Sequence, residues 1–525
     1  MTIAATGPRR TRLYTCILAG VALVALAGCA TLEPRPPLPV QQALPVGEQT
    51  ALDKLVGATE AEHPGKSGFR LLREGPEAFA IRERSVHAAE RSLDVQTYIW
   101  NWDGTGAFLM LRILEAADRG VRVRLLIDDM DARNKDYSSA ALDAHPNIEV
   151  RMFNPFSSRT GMFSFMFEAI GSFERINRRM HNKTWIADNR IAVVGGRNLG
   201  DEYFGASEDV NFTDLDFVMV GPIVRDTSAS FDKYWNSESA YPIAYLVPPG
   251  TITPEKLADF RARLVAGFKD VDQSAYAEEL RRSEAVQRML SGDWTLAWSS
   301  DYRFVSDDPA KVLGKQSGLG GSQVLEFLWP VMKSAQKELS VISPYFVPGK
   351  AGTEAFVSID RGGADVGILT NSLAANDVMA VHGGYAPYRV PLLEGGVTLY
   401  ELMPHGRQDS SLFGSSGASL HTKAFAVDAE RGFIGSFNLD PRSVNLNTEM
   451  GILFRDRAAT AALLRSYEAK IAPDKSYRVR LLDGELRWDD ASVAPPRTWD
   501  REPEASAWRR WTARAVGWLP IESQL

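Results

Sequence analysis

Residues 181–198 read HNKTWIADNRIAVVGGRN, and residues 421–438 read HTKAFAVDAERGFIGSFN. Set in register, His181, Lys183, Asp188, Gly195, Gly196 and Asn198 face His421, Lys423, Asp428, Gly435, Ser436 and Asn438. Coincidence is a poor explanation for so many matched polar and small positions, so the chain reads as an internal duplication. The apolar runs AVVGG and FIGS that follow each His-x-Lys end in small residues and read as strands.

Outward from the motifs, the flanks repeat too. A helix expected from Pro76 to about Arg91 leads to the strand LDVQTYIW (Leu93–Trp100); a helix over Gly106–Asp118 closes at Gly120. The strands VRVRLLI (Val121–Ile127) and IEVRMF (Ile148–Phe153) follow. Pro76 suits a first turn and Gly120 a stop. Before the second motif come a helix over Ser322–Glu338, LSVISPYF (Leu339–Phe346), DVGILT (Asp365–Thr370), a helix over Asp377–Leu393 and VTLYEL (Val397–Leu402). This alternation predicts an α/β fold: two mixed, mostly parallel sheets with flanking helices. At 525 residues, 45% hydrophobic and 24% charged, the chain can bury a large core. The first repeat is expected at 51–246, a connector with some helix at 247–320, the second repeat at 321–480 and a tail at 481–525.

Residues two apart on a strand share a face, so each copy presents an imidazole beside an ammonium. The imidazole can act as nucleophile or proton donor, and the ammonium suits a phosphate oxygen as a point charge. Asn198, Ser436 and Asn438 offer neutral donors for charge on phosphoryl oxygens. Together, His181, Lys183, His421 and Lys423 would surround one tetrahedral phosphorus, as a phosphodiester site requires. Asp188 and Asp428 are grouped with this catalytic set by the shared pattern, although positioning the strand or the lysine fits them as well. No metal or other cofactor is expected, because lysine is a poor ligand and no Cys or His cluster supplies a closed coordination set. No G-x-S-x-G precedes a helix, which argues against a Ser-His-Asp hydrolase.

At these residues the sequence resembles the phospholipase D superfamily: both copies match its HxK-x4-D motif and the following G-G/S-x-N, across roughly residues 70–480. The resemblance implies two halves about a pseudo-twofold axis with one active site between them. It further implies a covalent phosphohistidine without metal, with His181 as nucleophile and His421 as acid/base. It also implies a carboxylate shortly after each motif that orients a histidine. Asp214 in TDLDFVMVGP and Glu449 in NTEMG match, with Asp216 in reserve. The stretches RGVRVRLLIDD, RMFNPFS, RRMHNK, GGRNLGDEYF, LTNSLAANDV, SGASLHTK and GSFNLDPRS are similar to bacterial cardiolipin synthases, the C type in particular. The implied activity is phosphatidyl transfer that makes cardiolipin from phosphatidylglycerol and a second phospholipid, with phosphatidylethanolamine left open as donor. With water as acceptor the same site would be a periplasmic phospholipase D, the nearest alternative; a nuclease and a non-catalytic lipid-binding lipoprotein rank below it.

The ends address the chain to a membrane. Arg9, Arg10 and Arg12 precede an apolar run, Leu13 to Ala27, and then Gly28-Cys29, the pattern of a secretory signal. The run is short for a membrane span, and Leu26–Cys29 resembles a bacterial lipoprotein signal, which implies removal of residues 1–28 and lipidation at Cys29. The expected location is the cell envelope, lipid-anchored and facing the periplasm. Removing residues 1–28 takes three of 59 basic residues and none of 66 acidic ones, leaving 56 − 66 = −10. So acidic a body argues against nucleic acid as a partner. Residues 29–50, with Pro34, Pro36, Pro37, Pro39 and Pro45, read as an extended tether. Two segments suit lipid. Met162, Phe163, Phe165, Met166, Phe167, Ile170 and Phe173 form an apolar stretch before Arg175, Arg178 and Arg179, and an ordinary core helix with a basic end explains them equally well. In the tail, Trp508, Trp511, Ala515, Trp518 and Leu519 recur with helical spacing, while Arg509, Arg510 and Arg514 take other faces. Such a helix suits a membrane surface, or it could cover the rest of the protein.

Overall fold

The computed structural model describes residues 32, 34–132, 135–159, 173–290, 295–404, 417–518 and 522–524. Cys29 and the apolar stretch from Met162 to Ile170 lie outside the described residues. The first half supplies β1 (Ser67–Leu72), β2 (Ser92–Thr97), β3 (Arg122–Asp128), β4 (Ile148–Phe153), β5 (Thr184–Ala187), β6 (Ile191–Gly195), β7 (Val210–Thr213), β8 (Asp216–Val220), β9 (Ala240–Pro242) and β10 (Ala297–Ser299). The second supplies β11 (Tyr302–Ser306), β12 (Glu338–Ile342), β13 (Asp365–Asn371), β14 (Thr398–Leu402), β15 (Gly417–Leu420), β16 (Lys423–Val427), β17 (Arg431–Gly435), β18 (Met450–Arg455), β19 (Ser476–Leu482), β20 (Glu485–Asp490) and β21 (Arg497–Trp499).

The sheets are ordered β10-β1-β8-β6-β5-β2-β3-β4-β9 and β11-β18-β17-β16-β12-β13-β14-β19-β20-β21. Strand for strand, β1-β8-β6-β5-β2-β3-β4 repeats as β11-β18-β17-β16-β12-β13-β14, which is the duplication in three dimensions. Both sheets are mixed, but "mostly parallel" needs correction. Parallel pairing within them is confined to β2–β3–β4 and β12–β13–β14. The motif is the reason. Asp188 and Asn189 have φ of 51° and 54°, and Asp428 and Ala429 both 53°. Two successive left-handed residues make a tight hairpin that matches strand twist, so β5–β6 and β16–β17 must run antiparallel.

Caps fix the helices. Asp103 accepts from Gly106 N to start Gly104–Asp118, and Asp456 from Ala459 N to start Arg457–Ile471. The helix expected over Asp377–Leu393 is broken into Met379–Tyr385 and Arg389–Glu394. Pro387 and Pro391 disrupt helical bonding there. One apolar core joins the two sheets, burying Phe217 and Val194 of one against Ile434, Met450 and Phe454 of the other. It also takes apolar faces of Pro222–Asn236 and Arg457–Ile471. The remaining faces carry their own cores beneath outer helices.

The links between halves are structural members. Residues 247–320 give β10 to the first sheet and β11 to the second, and Phe260, Leu264 and Tyr276 pack into the first core. Beyond 480, β20 and β21 extend the second sheet. The proline-rich segment is not a free spacer either. Arg35 donates to Ser237 O (2.8 Å), Gln41 N to Asn236 Oδ1 (3.0 Å) and Ala43 N to Asp232 Oδ2 (2.8 Å). Extended backbone lacks internal partners, so the Asn236 and Asp232 side chains take its N–H groups while Arg35 ties its own side chain to a first-half carbonyl. Among the described residues, no helix is long and apolar enough to cross a membrane.

Candidate active site

The two motifs meet because each histidine enters its strand along an edge supplied by the other half. His181 N donates to Thr448 O, and Thr448 N to Arg179 O, both at 2.9 Å. His421 N donates to Thr213 O at 2.9 Å, beside a parallel ribbon of β7 and β15. The next residue after each of those threonines is an acid, Asp214 or Glu449. The carboxylates therefore cross over. His421 Nδ1 meets Asp214 Oδ2 at 2.6 Å, and His181 Nδ1 meets Glu449 Oε2 at 2.9 Å. Both imidazoles line one cavity of about 360 Å³. With Nδ1 held by a carboxylate, the proton belongs there and the Nε2 lone pair is left free.

The Gly-Gly/Ser difference between the motifs follows from this crossing. A Cβ at Gly196 would lie 2.3 Å from Asp214 Oδ1, so only glycine admits that acid. Ser436, the matching residue, instead donates its hydroxyl to Glu449 Oε2 at 2.5 Å, while Ser443 Oγ donates to Oε1 at 3.0 Å. Each lysine ammonium donates to the carbonyl of its own motif histidine, Lys183 to His181 O at 2.6 Å and Lys423 to His421 O.

Burial dominates the electrostatics. It lowers both histidines well below the ordinary imidazole value, and the Lys183 and Lys423 charges push the same way. Burial also brings Lys183 down to about 7 and Lys423 to about 8, and it raises Glu449 to about 7. Burial therefore favours neutral imidazoles and weakens the hold on the ammonium protons; an anion between the lysines would restore their charge.

His181, His421, Asn198 and Asn438 line the cavity, with Lys183 and Lys423 immediately beneath the histidine backbones. Other expected members sit elsewhere. Asp188 lies at the far end of β5 from His181, accepting from the backbone N–H of Glu90 (3.0 Å), Arg91 (2.8 Å) and Ser92 (2.9 Å). Asp428 repeats this with Gln336 (3.0 Å), Lys337 (2.8 Å) and Glu338 (3.0 Å). Both acids clamp the edge of a neighbouring strand, so the grouping of them with the reacting residues is corrected. Ser436 is corrected too, because its hydroxyl faces Glu449 instead of the cavity. Asp216, the reserve acid, pairs with Arg82 at 3.0 Å and Arg197 at 3.4 Å. Arg179 is buried against Asp128 at 3.2 Å, which removes it as a headgroup contact.

Several lining residues were not singled out from sequence. Tyr98 packs edge-on to His181 at 5.3 Å; Tyr203 and Phe212 pack on His421 at 5.4 and 5.3 Å. Tyr345, Asp377, Asp440, Arg442, Asn447 and Gln524 complete much of the wall. Tyr203, Asp377, Asp440 and Arg442 fall inside GGRNLGDEYF, LTNSLAANDV and GSFNLDPRS, where their polarity beside a motif was the available signal. Among the described residues, no group of three His, Cys, Asp or Glu side chains could hold a metal ion.

Comparison with known proteins agrees with this geometry. The family model described as "Cardiolipin synthase, PLD-like domain" matches twice, over residues 83–235 and 328–471. Cardiolipin synthase C of Escherichia coli is 41% identical over 474 residues, covering 88% of this chain and 97% of that protein. Cardiolipin synthase 2 of Staphylococcus epidermidis is 24% identical over 401 residues, covering 76% of this chain and 66% of that protein. Among solved structures, phosphatidylserine synthase of Haemophilus influenzae superposes with a TM-score of 0.54 at 14% identity, covering 90% of this chain and all of that one, which speaks for the shared fold. The duplicated motif, the two matching sheets and these similarities place the chain in the cardiolipin synthase family, as a phospholipase D-type phosphatidyltransferase.

Proposed function

We propose that this enzyme makes cardiolipin by transferring a phosphatidyl group to the glycerol headgroup of phosphatidylglycerol, through a covalent intermediate on His181. The observation that carries the reading is the pair of imidazoles on one cavity, each held at Nδ1 by the carboxylate of the opposite half. His181 Nε2 attacks the phosphorus of the donor lipid while His421, which takes up a proton once the anionic phosphate offsets the lysine charges beside it, gives that proton to the departing alcohol. The glycerol hydroxyl of the second lipid then loses its proton to His421 as its oxygen displaces the phosphohistidine nitrogen. Lys183, Lys423, Asn198 and Asn438 hold the phosphoryl oxygens, and their charge matters most where it develops in the transition state. Asp214 and Glu449 fix the imidazoles and favour the imidazolium as it forms. The donor is phosphatidylglycerol or phosphatidylethanolamine.

The setting follows from both ends of the chain. Lipidation at Cys29 places the body on the periplasmic side of a membrane, with phospholipids and the bilayer surface as its partners. The Ala507–Gly517 helix turns Trp508 (66% exposed) and Trp511 (60%) outward, with Trp518 (84%) just beyond it. The first two stack at 5.3 Å. Aromatic rings beside arginines suit an anionic lipid surface.

Incubation of the purified protein with vesicles of phosphatidylglycerol, alone and mixed with phosphatidylethanolamine, followed by thin-layer chromatography, tests the reading. Cardiolipin is expected, with glycerol released by the first donor or ethanolamine by the second; phosphatidic acid alone would make it a hydrolase. His181→Ala and His421→Ala should each abolish turnover, and normal turnover by either would overturn the shared site.

A further inference from the structure

The duplicated motif makes the centre of the cavity nearly symmetric, but its walls are not. Running the register outward from His-x-Lys pairs Gly200 with Asp440 and Glu202 with Arg442, and the equivalent pairing of β2 with β5 and of β12 with β16 matches Ile99 to Tyr345. In the second half these positions carry a phenol, a carboxylate and a guanidinium in place of an isoleucine, a glycine and a carboxylate, and Tyr345, Asp440 and Arg442 line the cavity. Their charges separate by side. Arg442 is bonded to Asn177 Oδ1 and O, both at 2.7 Å, at the base of the segment leading to His181, and its charge bears on His181 and Tyr98. Tyr345 donates to Asp377 at 2.8 Å, and the Asp377 charge bears on Tyr203, which packs on His421, and on Lys423. The His181 side is thus cationic, the His421 side anionic and rich in acceptors.

A phosphodiester has no hydrogen to donate and repels a carboxylate, so Asp377 and Asp440 are wrong for the phosphate itself. They suit a group that donates. Asn438 adds an independent sign: its Oδ1 is buried with no hydrogen-bond partner among the described residues, it lines the same cavity, and the Phe346–Leu439 bridge sets it beside the Tyr345 loop. An unpaired buried acceptor costs about 1–3 kcal/mol, which a hydroxyl or ammonium donor from a ligand would recover.

We propose that Tyr345, Asp377 and the Asn438 carbonyl oxygen form the alcohol subsite, on the His421 side, for an alcohol with a second hydrogen-bond donor next to the reacting oxygen, as in a glycerol headgroup. The inference rests on the transferase reading and deepens it. In-line displacement puts the leaving or entering alcohol opposite the nucleophile, next to the histidine that handles its proton. A subsite beside His421 therefore makes His421 the acid/base and His181 the nucleophile on this chain's own geometry. In the second step the P–N bond to His181 breaks, the new P–O bond forms, and the alcohol proton passes to His421 Nε2. Asp377 holds the neighbouring hydroxyl and thereby positions the oxygen that attacks.

The test is a competition. The full-length protein acts on phosphatidylglycerol vesicles with labelled glycerol and 1-propanol at equal concentration, and the ratio of labelled phosphatidylglycerol to phosphatidylpropanol is read. Propanol has the same carbon chain without the second donor, and a ratio within one reaction is insensitive to how much protein is folded. The ratio should favour glycerol and fall about tenfold or more in Asp377→Asn and in Tyr345→Phe, the size of one hydrogen bond to a charged group. An unchanged ratio in both variants overturns the subsite, even if total turnover drops. A wild-type enzyme that forms only phosphatidic acid overturns the transferase reading instead, and the subsite with it.

Discussion

Asp214 and Asp188 stand in the same half, both carboxylates, and their environments predict opposite failures. Asp214 touches a cavity-lining imidazole, so Asp214→Asn should cut kcat by about 100-fold or more through loss of its orienting charge, with little change in melting temperature. Among the described residues Asp188 accepts from backbone N–H groups, so Asp188→Ala leaves three of them short of an acceptor and should cost roughly 2 kcal/mol of stability, while the protein that remains folded keeps its turnover. Calorimetry beside a kinetic assay separates the two; a catalytic collapse in Asp188→Ala at unchanged stability would return that acid to the reacting set. The lysines set a pH limit. With Lys183 near 7 and Lys423 near 8, each is charged below its value and neutral above it. The phosphate-binding charge is therefore present at pH 6 and lost as the pH rises through 7 to 8, and kcat/KM should fall across that window. A profile flat to pH 10 would contradict it. The His-x-Lys residues were legible in the sequence because chemistry needs those side chains at that spacing. The crossed pairing was not, since Asp214 lies near His181 in sequence and only the exchange of strand edges brings it to His421.

At the scale of elements, strands and most helices announced themselves through apolar runs, prolines and glycines. The direction of pairing did not, because the two-residue turn at Asp188–Asn189 carries no glycine to advertise its left-handed backbone. The tryptophan helix was legible as an amphipathic segment, but its two possible roles could be separated only by its packing. It does dock, on one face: a Cβ at Gly383 would lie 2.5 Å from Ala513 O, and Arg509 donates to Asn376 O. The docking partner, Met379–Tyr385, contributes Val381 to the catalytic cavity wall, with Val378 just before it. The helix that carries the outward tryptophans therefore packs on an element of the cavity wall. Trp508→Ser, Trp511→Ser and Trp518→Ser combined should weaken binding to anionic vesicles about tenfold or more, and should slow turnover of vesicles far more than of a soluble phosphodiester. Equal losses on both substrates would deny the helix a membrane role.

At the scale of the molecule, neither half owns a complete site. His181 of the first half depends on Glu449 of the second, His421 on Asp214, and the sheets share one apolar core that isolated halves would expose. The duplication was visible in sequence, whereas this mutual dependence lies in contacts between residues more than 200 positions apart. It yields a mixing test. If each chain builds its one site from its own two halves, His181→Ala and His421→Ala proteins mixed after folding separately must stay as inactive as each alone. Every site in the mixture still lacks one histidine, and exchange of halves would require opening the shared core. Refolding the two variants together from denaturant gives the chains their only chance to trade halves, in which case one of the two exchanged sites holds both histidines and the other neither. Activity before unfolding would show that the site forms between chains, because only then could two defective copies supply one intact pair without disturbing the core.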